Sequence, residues 1–216
     1  MNFERLSFQQ SLTGGRTNLE KKRSVSSLFD KEKKEFLAKK DKSRKGSIDD
    51  KIEKLVDKIN SLDDFYTTSS CSGRILLLTI PKSNKKNEVK YLFCSHKKIH
   101  YNEFKKLIKL KLPENIVWFM VQPAIVHVIS KSPDNATKLL NLARDIGFRR
   151  SGIISIGKNK VVMELISTEK IDAIISKNGK LLIDENYFKV LVEEGNKKLE
   201  KTWKKIDRLY DRVNKK

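Results

Sequence analysis

Residues 116–147 run Ile116-Val-Trp-Phe-Met-Val121, then Gln122-Pro123, then Ala124-Ile-Val-His-Val-Ile129, then Ser132-Pro133 and a periodic stretch closing at Gly147. The two apolar runs have strand length, and Pro123, with no amide hydrogen to give to a ladder, either interrupts their pairing or marks an edge. Ser132-Pro133 opens a helix, because the hydroxyl caps orphan amides and proline suits the first turn. Leu139, Leu140, Ala143 and Ile146 form the helix's apolar stripe, and Gly147 suits its exit. Two strands followed by a helix, with no regular strand–helix alternation, favour an α+β domain over a doubly wound sheet.

The pattern continues in both directions. Upstream, Leu28, Phe29, Phe36 and Leu37 predict a helix from about Ser27 to Lys40, and Ile48, Ile52, Leu55, Val56 and Ile59 predict a second one capped by Ser47, with Asp50 completing a weak capping box. The period then changes to Phe65-Tyr-Thr-Thr68, a small-residue turn, and strands at 75–80 and 89–96, before a short amphipathic helix carrying Phe104, Leu107 and Ile108. Downstream, strands are predicted at 152–157, 161–167 and 173–176, and Asn178-Gly179 favours a tight hairpin. The expected architecture is a mostly antiparallel or mixed sheet packed with helices. It closes on a long helix whose stripe is Tyr187, Val190, Leu191, Leu199, Trp203, Ile206 and Tyr210, bent at Gly195.

The chain has 216 residues, of which 38% are hydrophobic, enough for one sizeable core. Residues 1–25 lack the apolar run of a secretory signal and read as a flexible extension, leaving 26–216 as a single domain. No apolar run approaches the roughly 20 residues that a membrane helix needs. Two cysteines outside any CxxC pair support neither a disulfide framework nor a cysteine-rich metal site, so no metal is expected and a reducing compartment fits best. The formal net charge of +20 points to a polyanion, and the tail from 195 to 216 carries nine basic and three acidic residues, a natural clamp for a phosphate backbone.

Chemistry concentrates in Thr67-Thr-Ser-Ser-Cys-Ser-Gly-Arg74, where small hydroxyl residues and glycine allow backbone amides to converge on an anion and Arg74 adds a fixed charge. The stretch resembles the signature of the tRNA wybutosine-synthesizing protein 3 family, and further motifs follow in that family's order across about residues 27 to 200. They are Asp41-Lys-Ser-Arg-Lys-Gly-Ser-Ile-Asp49, Ser95-His96, Pro123-Ala-Ile-Val-His127, Ala143-Arg-Asp-Ile-Gly-Phe-Arg-Arg-Ser-Gly-Ile153 and Leu182-Ile-Asp-Glu-Asn-Tyr187. The chain departs from the family where Ile166-Ser167-Thr168 replaces the usual Arg-Ser-Thr, and where Ile174 replaces a proline.

The resemblance implies a cytoplasmic enzyme that transfers a methyl group from S-adenosylmethionine to a nitrogen of the tricyclic wybutosine precursor, next to the anticodon of phenylalanine tRNA. The residues themselves show no glycine-rich Rossmann fingerprint, so any pocket for that donor is built in another way. The resemblance implies a substrate and cofactor site made of Asp41, Ser43, Lys45, Gly46, Ser69, Ser70, Cys71, Ser72, Gly73, Arg74, Ser151, Gly152 and Ser167. His96, His127 and Asp49 are its candidate catalytic groups. Either imidazole could take up a nitrogen proton, since imidazole titrates near neutral pH, and Asp41 and Asp49 could instead order the basic loop between them. The competing reading is a non-catalytic RNA-binding module, which keeps the charge and drops the chemistry.

Overall fold

The computed structural model describes the backbone of residues 18–38, 48–80, 89–108 and 112–215, and side chains among these from residue 28 onward except 103, 104, 107 and 108. Helix α1 (Asn18–Leu37) is followed by α2 (Asp50–Ser61), then β1 (Phe65–Cys71), β2 (Arg74–Thr79), β3 (Lys90–Ser95), α3 (Tyr101–Ile108), β4 (Val117–Gln122) and β5 (Ile125–Ser130). Then come α4 (Pro133–Ile146), β6 (Gly152–Ile156), β7 (Val161–Ile166), β8 (Ile171–Lys177), β9 (Lys180–Leu181) and α5 (Glu185–Asn214). Helix α4 has the predicted ends: Ser132 Oγ accepts from the Asn135 amide, and Gly147 leaves in the left-handed region at φ 113°. Asn178 and Gly179, with φ of 52° and 70°, make the expected hairpin between β8 and β9.

Instead of one sheet there are two, both antiparallel throughout, with strand orders β1-β5-β7-β6 and β3-β2-β4-β8-β9. The chain passes between them three times: at Ser72-Gly73, at Pro123-Ala124, and from Ser167 to Lys170. Pro123 therefore interrupts pairing by sending β4 and β5 into different sheets. The passages are tied together, since the Ser167 amide donates to the Ala124 carbonyl at 3.1 Å. Gly73, at φ 91°, has no room for a side chain: a Cβ would lie 3.1 Å from the Gln122 carbonyl and 3.3 Å from Leu199 and Thr202.

Helix α5 binds the two sheets into one body. Its first half packs Phe188, Leu191 and Val192 on Ile75, Phe119 and Val121, and its second half packs Ile206, Leu209 and Val213 with α2 and α4 on Val126, Val128, Met163 and Leu165. This register corrects the predicted stripe, because Tyr187 and Val190 point to solvent while the unpredicted Phe188 is fully buried. The helix runs unbroken through Gly195. This glycine lets it approach β2 and β4, where a Cβ would meet Phe119 at 3.2 Å and Val121 at 3.3 Å.

Two boundaries near the site also differ from expectation. The predicted turn from Ser69 to Arg74 shrinks to Ser72-Gly73, because Ser69, Ser70 and Cys71 pair with His127, Val126 and Ile125 and β2 begins at Arg74. A register shift between Thr67 and Ser69 puts Tyr66, Ser69 and Cys71 on one face of β1, although two of them lie three residues apart. Helix α1 begins at Asn18, well before Ser27, and packs Phe29 and Phe36 over Tyr66, Ile129 and Val162, covering one end of that face.

Candidate active site

The face of sheet β1-β5-β7-β6 turned away from α2, α4 and α5 carries the polar residues. In β5, Val126 and Val128 are fully buried in the core, so the alternation of side chains aims Ile125 and His127 to the other side. Register then sets Ser69 of β1, His127 of β5, Glu164 of β7 and Gly152 of β6 side by side across all four strands. Ser69 Oγ lies 2.8 Å from His127 Nδ1, and Glu164 Oε1 lies 3.0 Å from His127 Nε2. At Gly152 a Cβ would meet nothing within 4 Å, so the row ends in open space.

A second group of polar residues gathers at the first passage between the sheets. Asp49 rather than Ser47, which lies outside the described residues, stands at the cap position of α2, yet its carboxylate does not cap the helix. It turns to the β1–β2 junction, where Oδ2 accepts from the Ser72 amide at 3.0 Å and the Ser72 hydroxyl at 3.1 Å and lies 3.0 Å from His96 Nδ1. The cap is given up because two orphan donors and a cation offer more than a solvated helix end. Cys71 Sγ stands 3.7 Å from the same His96 nitrogen. Cys71 and Ser69, two residues apart on β1, place the two groups of residues on one face.

The electrostatics follow from these contacts. Burial opposes ionisation of Asp49, but the hydrogen bonds from His96 and Ser72 outweigh it and hold the carboxyl well below the usual range. His96 is pushed up to about 11, first by its bond to Asp49 and then by the Cys71 and Cys94 thiols, against a smaller opposing effect of burial. It is a cation at neutral pH. The Cys94 thiol is lowered, chiefly by its bond to His96 and, against burial, by the nearby Arg74 charge. Arg74 Nε donates to Gln122 Oε1 at 2.6 Å, with the guanidinium 5.6 Å from the Tyr91 ring centre. Asp49, Cys71 and His96 could offer three ligand atoms within 4.8 Å of one another to a metal ion.

Of the predicted site residues, Asp49, Cys71, Ser72 and His96 meet directly, and Ser69 joins His127 instead. Gly73 shapes the passage, and Arg74 stands beyond it on β2. Ser70 faces the opposite side of β1 from its neighbours. Ser151 is a structural bracket: its hydroxyl donates to the Phe148 carbonyl at 2.6 Å and accepts from the Ile166 amide at 2.9 Å, while its own carbonyl receives Arg144. Ser167 is fully buried at the third passage. Asp41, Ser43, Lys45 and Gly46 lie outside the described residues. Sequence reading missed Glu164, Gln122 and Cys94. Only Cys94 left a signal, since two-residue alternation along β3 puts it on the side of His96.

The basic final helix lies on the other side of this sheet from the polar row, so Lys201, Lys204 and Arg208 do not line it. Arg149 and Arg150, both exposed, precede Gly152 at the end of the row itself. Two shallow depressions, one between α4 and α5 at Asp145, Arg208 and Arg212 and one beside α1 at Lys33, Lys34 and Lys131, involve none of the site residues. Among the described residues, no helix is long and apolar enough to cross a membrane.

The chain is similar to known proteins over most of its length. The family model described as methyltransferase TYW3 matches residues 20–215. A Pyrococcus furiosus protein named tRNA(Phe) 7-((3-amino-3-carboxypropyl)-4-demethylwyosine(37)-N(4))-methyltransferase 1 is 37% identical over 187 residues, covering 86% of this chain and 95% of the relative. The tRNA wybutosine-synthesizing protein 3 homolog of Homo sapiens is 34% identical over 86% of this chain and 72% of its own length. A solved structure of a Pyrococcus horikoshii protein superposes with a TM-score of 0.79 at 36% identity, covering 88% of this chain and 98% of that one. The chain belongs to the methyltransferase TYW3 family.

Proposed function

We propose that the domain formed by residues 26–216 transfers a methyl group from S-adenosylmethionine to N4 of 7-(3-amino-3-carboxypropyl)-4-demethylwyosine at position 37 of phenylalanine tRNA, in the cytoplasm. The observation that carries this reading is the polar face of the four-stranded sheet, where Ser69, Cys71, His96, His127 and Glu164 assemble on a family scaffold whose relatives are named for that reaction. The chemistry of the residues fits the donor. His96 and Arg74 are cations that would hold its carboxylate, and the exposed Ser69 hydroxyl offers a further polar contact. When bound, the donor supplies an electrophilic sulfonium methyl group.

The protein's own work is then positional. It holds the acceptor base in line with the methyl group, and fixing two reactants in that line removes much of the barrier. The Asp49–His96 pair keeps a cation at the passage between the sheets, and Arg149 and Arg150 meet the phosphates that flank the modified nucleotide. Asp41, Ser43, Lys45 and Gly46, which precede α2 in sequence and lie outside the described residues, belong to the proposed site on the strength of the family resemblance alone. The test is incubation with labelled S-adenosylmethionine and tRNA carrying the 4-demethylated precursor. Label appearing on N4 supports the reading, and a folded protein that transfers none overturns it.

A further inference from the structure

The two histidines differ in what their ring nitrogens can do. His96 spends Nδ1 on the Asp49 carboxylate, 3.0 Å away, beside Cys71. The Asp49 carboxylate can only accept, so that nitrogen carries the hydrogen and has no lone pair to take up a proton. His127 is arranged in the opposite sense. A carboxylate only accepts, so Glu164, 3.0 Å from Nε2, requires the hydrogen on that nitrogen. In the neutral ring Nδ1 then carries the lone pair, directed at Ser69 Oγ 2.8 Å away.

Sheet register builds this arrangement. His127 stands on β5, an inner strand, so β1 supplies the hydroxyl from one side and β7 the carboxylate from the other. The ring is about a third exposed, within reach of a substrate and of water that carries a proton away. Beyond Glu164 the row ends at Gly152, where no side chain crowds the carboxylate.

We infer that His127 is the proton acceptor of this site and that Glu164 is a positioning residue that fixes its Nε2–H tautomer. The inference rests on the methyl-transfer reading above. As the acceptor nitrogen forms its bond to the methyl carbon, the electron pair of the breaking sulfur–carbon bond stays on sulfur, which loses its positive charge. The proton leaves that nitrogen for His127 Nδ1, directly or through the Ser69 hydroxyl. Glu164 faces the imidazolium so formed, and water takes the proton from it.

Nitrogen-15 NMR of histidine-labelled full-length protein tests this directly, because the chain has three histidines and His127→Asn identifies the resonance in question. The wild type is expected to show His127 with hydrogen on Nε2. Glu164→Ala should turn it into a mixture of tautomers and lower kcat for methyl transfer by about tenfold or more, with KM for tRNA within about twofold. Glu164→Gln retains an accepting oxygen, so it should preserve the tautomer with an intermediate kcat, and it serves as the folded control. Hydrogen found on Nδ1 in the wild type, or a kcat unchanged in Glu164→Ala, overturns the inference. Wild-type protein with the Nε2–H tautomer and no methyl transfer would strike the assigned reaction and leave the tautomer assignment standing.

Discussion

Replacing Asp49 with Asn removes one negative charge from a buried position and leaves the rest of the site in place. The Asn oxygen can still accept from Ser72, so the loss falls on His96. At about 1.36 kcal/mol per pKa unit, the rise from 6.5 to about 11, which Asp49 causes first and the Cys71 and Cys94 thiols after it, corresponds to ~6 kcal/mol at full strength as an upper bound on the loss. Solvent around a ring that is 32% exposed screens this to about 2–3 kcal/mol. The sign follows from the direction of each shift. His96 is raised, so its contribution is full below 6.5 and lost as pH climbs toward the folded value; Asp49 is depressed, so its contribution is full above 3.8 and lost on acidification. The pair therefore stabilises most between about pH 4 and 6.5. Thermal unfolding followed by circular dichroism should place Asp49→Asn about 5–10 °C below wild type at pH 6, with the gap closing to ~2 °C by pH 9. The same series in a Cys94→Ser background removes the thiol that titrates beside the ring. A gap that stays constant from pH 6 to 9, or none at pH 6, would refute the ion pair.

Glu169 and Lys205 form a second, partly buried pair, in which Lys205 Nζ also meets Thr168 Oγ1 at 2.8 Å; Glu169→Gln should cost about 1–3 kcal/mol in denaturant titration, and Glu169→Gln with Lys205→Met should recover part of that. Ser132→Ala deletes the α4 cap, far from the polar face, and should lower stability by ~1 kcal/mol with methyl transfer unchanged. The Asn135 amide that loses its Ser132 partner sits at the first turn of α4, so hydrogen exchange should report local fraying there and nowhere on the polar face. If phosphates sit at the end of the polar row, Arg149→Glu with Arg150→Glu should weaken tRNA binding and flatten its dependence on log salt by about 1 to 2, whereas Lys201→Glu with Lys204→Glu on the opposite side should do less. Filter binding across a salt series distinguishes the two.

Much of the fold was legible because local chemistry and tertiary context agree. Ser132-Pro133, Gly147 and Asn178-Gly179 each specify a backbone conformation that the structure adopts, whatever packs around it. The division into two sheets was not legible. Pro123 announces a break in pairing, but which strands lie on either side depends on long-range register, which no local pattern encodes. The stripe of α5 slipped by a residue near its start because Tyr187 and Phe188 are both aromatic, and only the docked helix decides that Phe188 goes inside.

The site divides in the same way. Asp49, Cys71, Ser72 and His96 stood out as residue types suited to the chemistry, yet the helix start hid the outcome, since Asp49 looks like a capping residue and gives its carboxylate to Ser72 and His96 instead. Ser151 and Ser167 belong to the frame that holds the strands, a role that small hydroxyl residues do not advertise in sequence. Glu164 was invisible: in Val161-Val-Met-Glu-Leu-Ile166 it reads as the solvent-facing member of an alternating strand, and only the β5–β7 register places it opposite His127.

On the proposed reading, the polar face of the four-stranded sheet performs methyl transfer on tRNA. The most direct measurement is single-turnover transfer of labelled methyl from S-adenosylmethionine to precursor-bearing phenylalanine tRNA, comparing wild type with His127→Asn at saturating tRNA. Label should reach N4 with wild type, and the rate should fall by about a hundredfold or more in the variant while tRNA still binds. Equal rates in the two proteins, or no label transferred by folded wild type, would contradict the account.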